Sequence, residues 1–275
     1  MSTLTDHEFT YFRHLMRESV GLALSEDKKT LVSSRLAKRL RARGLTNYTE
    51  YLRLVKDDTQ EFQRMVDLLT THTTSFFREA EHFAYLGREY LAHLAPDVRV
   101  RVWCAACSTG EEAYCLGMVL QDRLGAGRWE LIASDVSEPA LDTARTGLYP
   151  LERTREIPAY YLKRFALRGR ASLPAEGFFT FSDEIKAPIS FRAVNLQESW
   201  HFQERFDIIF LRNVMIYFDQ STRHDLVRRM LAVLKPDGLM FSGHSESLFG
   251  ISPKLRGVRP AVYRLAGGNP EDRAA

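Results

Sequence analysis

Between residues 99 and 265, short apolar runs alternate with amphipathic helical stretches. The runs fall at 99–104, 130–135, 189–194, 207–211, 239–243 and 261–265, and the helical stretches at 111–124, 138–146 and 220–234. Lys235-Pro236-Asp237-Gly238 stops the last helix. Strand, helix, strand in alternation leaves few solutions. It predicts an α/β fold with a largely parallel sheet covered on both faces. Residues 150–188 break the rhythm with Pro158, Gly169, Pro174, Gly177 and Pro188, and read as an inserted subdomain.

Residues 1–78 have another character and read as all helical. Asp6 is placed to cap a helix carrying Phe9, Phe12, Leu15 and Met16 at core spacing. A second helix over 26–43 puts Val32, Leu36 and Leu40 on one stripe, with Gly44 as its C-cap. Around that stripe stand Lys28, Lys29, Arg35, Lys38, Arg39, Arg41 and Arg43, with no acid on the helix after Asp27. Shorter helices follow at 48–55 and 61–69. The expected organisation is a helical domain at 1–78, a sheet domain at 79–266 and a disordered polar tail at 267–275.

Composition excludes several classes. The 275 residues are 45% hydrophobic and 27% charged, as in an ordinary soluble protein. No apolar run reaches the roughly 18–20 residues of a membrane span, and Asp6, His7 and Glu8 rule out a signal peptide. Cys104, Cys107 and Cys115 are odd in number and clustered, which suits reduced cytosolic thiols. A net charge of +3 says little about partners. The expectation is a cytoplasmic monomer that does not insert into membranes.

The chemistry gathers at predicted strand ends. After the run at 99–104 comes a loop of small side chains, Ala105 to Gly110, and then a helix opening on Glu111 and Glu112. Small residues let a ligand approach the backbone, and carboxyl ends of strands are where open α/β sheets bind ligands. Two acids at the helix start disfavour a phosphate and suit a nucleoside carrying positive charge. Asp135, 25 residues beyond Gly110, is positioned to accept ribose hydroxyls or to cap the next helix, though Ser137 is the better cap. Asn195-Leu196 follows the third run, where the Asn could bond an adenine edge. Arg212-Asn213 ends the fourth, with Tyr217 just beyond as either a packed aromatic or a catalyst. The segment Thr70-Thr71-His72-Thr73-Thr74-Ser75 is rich in capping and ligand-binding hydroxyls, and Arg78 beyond it is not explained by a linker role.

These residues carry a resemblance. The chain resembles the CheR-type chemotaxis receptor methyltransferases, which are protein-glutamate O-methyltransferases. Matching segments lie at 69–79 (through Phe76-Phe77-Arg78-Glu79), 101–114, 133–135, 212–218, 243–248 and 260–263. The resemblance implies a class I S-adenosylmethionine (SAM) methyltransferase with a Rossmann-like sheet, an all-helical N-terminal domain and a small inserted β-subdomain. It implies a cofactor site lined by His72, Thr74, Arg78, Glu112, Asp135, Asn195, Leu196, Leu211 and Arg212, with Arg78 and Tyr217 flanking the transferred methyl. S-adenosylhomocysteine (SAH) would be the product. The implied substrates are glutamates on acidic cytoplasmic helices of transmembrane chemoreceptors, esterified for sensory adaptation. Arg35, Lys38, Arg39, Arg41 and Arg43 then become a docking face for those helices. The chain departs from the family where His72 replaces a common Asn. Its insert also lacks a compact Arg-Gly-x-Gly motif, having only Arg168-Gly169-Arg170 and a longer Ala175-Glu176-Gly177-Phe178, which counts against docking of a receptor's C-terminal tether peptide.

The absence of a convincing general base agrees with this. A glutamate carboxylate, with an ordinary pKa near 4.3, is already ionised at neutral pH. Rival readings are weaker. Base methylation usually uses an Asn/Asp-Pro-Pro-aromatic or Pro-Cys motif, and neither is present, so nucleic acid is not an expected partner. Gly243-His244-Ser245-Glu246-Ser247 lacks the last Gly of a hydrolase elbow, and no His follows residue 244. Cys104 and Cys107 lack a second pair, so no metal is expected.

Overall fold

The computed structural model describes residues 3–169 and 175–265. The expected tail, together with Arg170 and Pro174 of the insert, lies outside the described residues.

Four helices form the N-terminal part: α1 (Asp6–Val20), α2 (Lys29–Ala42), α3 (Tyr48–Asp57) and α4 (Thr59–Leu69). Phe12, Met16, Val32, Leu36, Leu40, Tyr51, Met65 and Val66 are buried at their centre. The cap of α1 is Thr5, not Asp6. Its hydroxyl accepts the Glu8 amide while the Glu8 carboxylate takes the Thr5 amide at 2.9 Å, a reciprocal pair that Asp6 has no partner to make.

A short helix α5 (Ala80–Tyr85) then leads into β1 (Val100–Cys104), α6 (Glu111–Leu124), β2 (Trp129–Asp135) and α7 (Glu138–Thr146). The insert holds β3 (Tyr149–Pro150), α8 (Ala159–Phe165), β4 (Ala166–Arg168), β5 (Phe178–Phe181) and α9 (Asp183–Lys186). The chain closes with β6 (Ile189–Ala193), β7 (Phe206–Leu211), α10 (Gln220–Val233), β8 (Leu234–Ser242), β9 (Leu255–Arg259) and β10 (Val262–Leu265).

The main sheet runs β6-β2-β1-β7-β8-β10-β9, and the insert forms a separate antiparallel sheet β3-β5-β4. The first five strands of the main sheet are parallel, whereas β10 runs antiparallel to both neighbours. Alternation along each strand divides the core. Val102, Cys104, Ile208 and Phe210 face the α6 side, while Trp103, Ile209 and Leu211 face the α10 side. From β1 the chain passes to β2 on one side and later to β7 on the other. That reversal opens a crevice above the carboxyl end of β1.

Two strands differ from expectation. β8 begins at Leu234 rather than 239, because a register shift between Phe206 and Ile208 absorbs Lys235-Pro236-Asp237-Gly238 as a bulge. β9 has little sequence signal because it is an edge strand with mostly exposed positions and no apolar alternation.

Candidate active site

The crevice is a cleft of about 1010 Å³, counting the solvent at its mouth. Its floor is the loop after β1. Ser108 sits at φ 50° and gives its amide to Asp135 Oδ2 at 2.8 Å, while the Ser137 amide takes Oδ1 at 3.0 Å. Ser137 is also the side-chain cap of α7. Gly110, at φ 97°, lies where a Cβ would stand 2.7 Å from that of Ala144, so a larger residue would push the loop off α7.

His72, Thr74, Arg78, Glu112, Asp135, Asn195, Leu196, Arg212 and Tyr217 all line this one cleft. Thr70, Thr71, Thr73 and Ser75 join them, so the hydroxyl-rich segment forms a wall. The far wall is apolar, with Val136, Val194, Leu196 and Phe218. The roof comes from the end of α1, through Val20 and Leu22. It is tied down where the Asn195 amide group reaches Ser19 O at 2.7 Å and the Ala23 amide reaches Tyr217 O at 2.8 Å. Gly21 permits this approach, because a Cβ there would lie 2.4 Å from the Gln197 side chain.

Behind the cleft lies a buried ion cluster. Arg212, 1% exposed, pairs with Glu112 and with Glu79 at 3.0 Å, and also bonds the Arg78 carbonyl at 2.6 Å. Burial opposes the Arg212 charge, but the two carboxylates outweigh it and raise its pKa. Burial likewise opposes the Glu79 charge, and Arg212, Asn213 and the His244 amide hold it below the usual carboxylate range. Glu79 and Asn213 both adopt left-handed backbone, at φ 56° and 58°, held by an Asn213 to Glu79 bond of 3.3 Å. Arg78, by contrast, is exposed, and its side chain has one long bond of 3.4 Å to Thr73 O. A guanidinium is thus presented at the mouth with little to hold it.

Several expectations need correction. Glu111 does not contact the cleft: it is buried, taking Arg153 at 3.0 Å and the Thr109 hydroxyl at 2.6 Å, and so fastens the insert to α6. The Leu211 side chain is in the core beside Met215 and Leu226 rather than on the lining. Asn195 lines the cleft but spends both side-chain donors on structure, at Ser19 and Glu198, so only the lone pair that its Oδ1 keeps beside the Gln197 amide is left for a ligand. The bases of this stretch do have counter-acids, supplied by α4 and its cap and, for Lys29, by Asp6 of α1 at 2.6 Å. Arg39 and Arg43 clamp Glu61, Arg43 also meets Asp58 at 2.8 Å, and Arg35 caps the end of α4 through the carbonyls of Leu68, Leu69 and Thr70. Lys38 and Arg41 stay exposed.

Sequence reasoning missed Glu79 and Glu246. Glu246 is 5% exposed and receives the amides of Asn213 (2.6 Å), Gly243 (2.8 Å) and Ile216 (3.1 Å), fixing the loop that carries Tyr217. Its signal was the Gly243-His244-Ser245-Glu246 run, which makes sense only as an amide acceptor for β7's loop. Glu79, His82 and His244 bring possible metal-ligand atoms within 4.8 Å. The Arg212 cation already serves Glu79 and helps, after burial, to lower the His82 pKa to about 4, a field that disfavours a second cation there.

A switch-point cleft with a small-residue loop, an acid closing the second strand and an apolar far wall defines a SAM-binding Rossmann-type methyltransferase. Comparison with known proteins gives the family. The CheR methyltransferase SAM binding domain matches residues 72–262, and the CheR methyltransferase all-alpha domain matches residues 7–70. Chemotaxis protein methyltransferase 2 of Pseudomonas aeruginosa is 41% identical over 265 residues, covering 95% of this chain and 94% of that protein. The chemotaxis protein methyltransferase of Salmonella typhimurium is 38% identical over 268 residues, covering 96% and 91%. That of Borreliella burgdorferi is 33% identical over 274 residues, covering 95% of each chain. The chain belongs to the CheR methyltransferase family.

Proposed function

We propose that this cleft esterifies glutamate side chains on chemoreceptor helices, using SAM as methyl donor. The donor set of the cleft suits that cofactor. Asp135 faces it with both oxygens pre-oriented by amides, each retaining a lone pair for a hydroxyl. The carboxylate of Glu112, 12% exposed and partly neutralised by Arg212, suits an ammonium group. Val136, Val194, Leu196 and Phe218 suit a flat apolar ring.

SAM supplies a methyl already activated on a sulfonium, so the acceptor needs an ionised oxygen and a position. Arg78 attracts and orients the acceptor carboxylate at the mouth. Tyr217 lies on a loop fixed from both sides, by Glu246 and by the Ala23 amide, and offers its hydroxyl as a second orienting group. No side chain accepts a proton, because none is released. Holding reactants in order is worth up to roughly 7–11 kcal/mol in well-organised systems. Excess pairing with the acceptor would blunt its oxygens, and the loosely held Arg78 avoids that.

The single observation carrying this reading is that the exposed, loosely held Arg78 guanidinium lines the same cleft as Asp135 and Glu112. The docking face becomes narrower than the sequence implied, limited to Lys38 and Arg41. The chain is proposed to act as a cytoplasmic monomer, without a receptor tether peptide. Among the described residues no helix is long and apolar enough to cross a membrane.

Incubation with labelled SAM and receptor-bearing membranes should yield label released by base as methanol. In that assay Arg78→Ala should lower turnover about 100-fold or more, the scale of losing one preorganised charge contact, with SAH affinity reduced far less. Wild-type turnover in Arg78→Ala would remove it from the mechanism.

A further inference from the structure

Among the large apolar side chains exposed in the described residues, Phe249 stands apart at 92% exposure. Its loop is well anchored. Leu248, one residue earlier, is 1% exposed with its amide on the Tyr263 hydroxyl at 2.9 Å, and the Ile251 amide closes a turn on Leu248 O at 3.1 Å. Phe249 is therefore held outward by packing on both sides. The loop follows β8, which is parallel to β7, so it stands at the same sheet edge as the cleft. Glu246 joins it to the loop of Tyr217 through the Ile216 amide, and Ile216 is itself 43% exposed. Phe249 is three residues beyond Glu246, which bounds its backbone to within about 11 Å of that junction.

We propose that Phe249, with Ile216, forms an apolar ledge beside the cleft mouth that grips the substrate helix next to the glutamate being methylated. The inference rests on the proposed acceptor and extends it to substrate choice. A glutamate entering at Arg78 from a helix brings residues one or two turns away to the rim, at 5.4 Å per turn. Arg78 takes the charge and the ledge takes an apolar neighbour on the same helix face. The favoured substrate is then a glutamate with an apolar side chain one or two turns along, and an all-polar helix is a poorer one. Aromatic side chains, Phe among them, and Arg are enriched at protein interfaces relative to the rest of the surface.

The test compares wild type with Phe249→Ala, Phe249→Leu and Phe249→Asp, using labelled SAM and receptor-bearing membranes, with SAH affinity measured in parallel by calorimetry. Phe249→Ala should raise the KM for receptor about tenfold, leaving kcat at saturating receptor and SAH affinity unchanged. Phe249→Leu should restore most of the affinity, and Phe249→Asp should be at least as poor as the Ala variant. An unchanged receptor KM in Phe249→Ala would overturn the ledge, and so would a fall in SAH affinity, which would mark Phe249 as structural. Wild-type protein that binds SAH but methylates no receptor would instead defeat the acceptor assignment itself.

Discussion

In the helical half, a carboxylate sits at the centre of an ion cluster: fully buried Glu61 takes Arg39 at 2.8 and 2.5 Å, Arg43 at 2.8 Å and the Tyr51 hydroxyl at 3.0 Å. In the sheet half the arrangement is inverted. The arginine, Arg212, is the buried centre, and Glu79 and Glu112 flank it. An acid-centred cluster draws basic side chains inward and closes the gap between α2 and α4. An arginine-centred one leaves acids at its edge, and Glu112 remains on the cleft lining. The same two residue types thus make a clasp in one place and the back wall of a binding site in the other.

Removing the centre of the second cluster should have the largest effect. Arg212→Met leaves Glu79 and Glu112 without their cation, and breaking a buried pair of this kind costs about 3–5 kcal/mol. Thermal unfolding should register that loss, and cofactor binding should fail with it because Glu112 loses its fixed position. A variant of native stability that still binds SAH would show that the cluster does not shape the cleft.

Acid should separate the two halves. His82 packs under Glu79, and its pKa is pushed down to about 4, by burial first and then by Arg212, with His244 acting the same way and Glu79 opposing. A folded pKa below the unfolded value of 6.5 means the unfolded chain binds more protons between those limits. The contribution of His82 is therefore complete above 6.5 and is lost as pH falls toward 4, amounting to roughly 3 kcal/mol. Glu61 behaves differently: Arg39 chiefly holds it at about 2 against the cost of burial, so its contribution persists down to about 4.5 and disappears only toward 2. Hydrogen exchange followed from pH 7 to 4 should show amides around α5 and β8 opening before those of α2 and α4. Simultaneous loss would erase the distinction, and His82→Gln should flatten the upper part of the profile.

Much of the sheet half could be read in advance because its constraints are local. The small-residue loop after β1 and the acid closing β2 at Asp135 are each placed by a few neighbouring residues, whereas Arg212 is fixed by Glu112, 100 residues away. Arg78 was legible as a residue that no linker needs. What escaped was decided by distant partners. The counter-acids of Arg39 and Arg43 lie 15 to 22 residues away on α4 and its cap, so a helix read alone looked unpaired. Glu111 and Glu112 look equivalent in sequence, yet their helical positions aim one at Arg153 of the insert and the other at Arg212. Asn195 sits at a strand end where a ligand contact is reasonable, but α1 claims its donor 176 residues earlier in the chain.

The smallest expected effect lies on what remains of the basic face. Arg39 and Arg43 belong to the clasp, so Arg39→Ala should lower stability and affect receptor binding only through that loss. Lys38 and Arg41 point away from it and are exposed, the condition for steering an acidic helix by charge. Each exposed ion pair is worth about 0.2–1 kcal/mol, so Lys38→Glu combined with Arg41→Glu should weaken receptor binding several-fold at low salt. Screening shortens to about 3 Å near 1 M ionic strength, and the difference from wild type should vanish there, while SAH affinity and melting temperature stay constant throughout. Binding titrations across a salt series would decide it. A deficit that persisted at high salt would mean these two positions act by shape instead, and an intact low-salt affinity would remove this face from receptor docking.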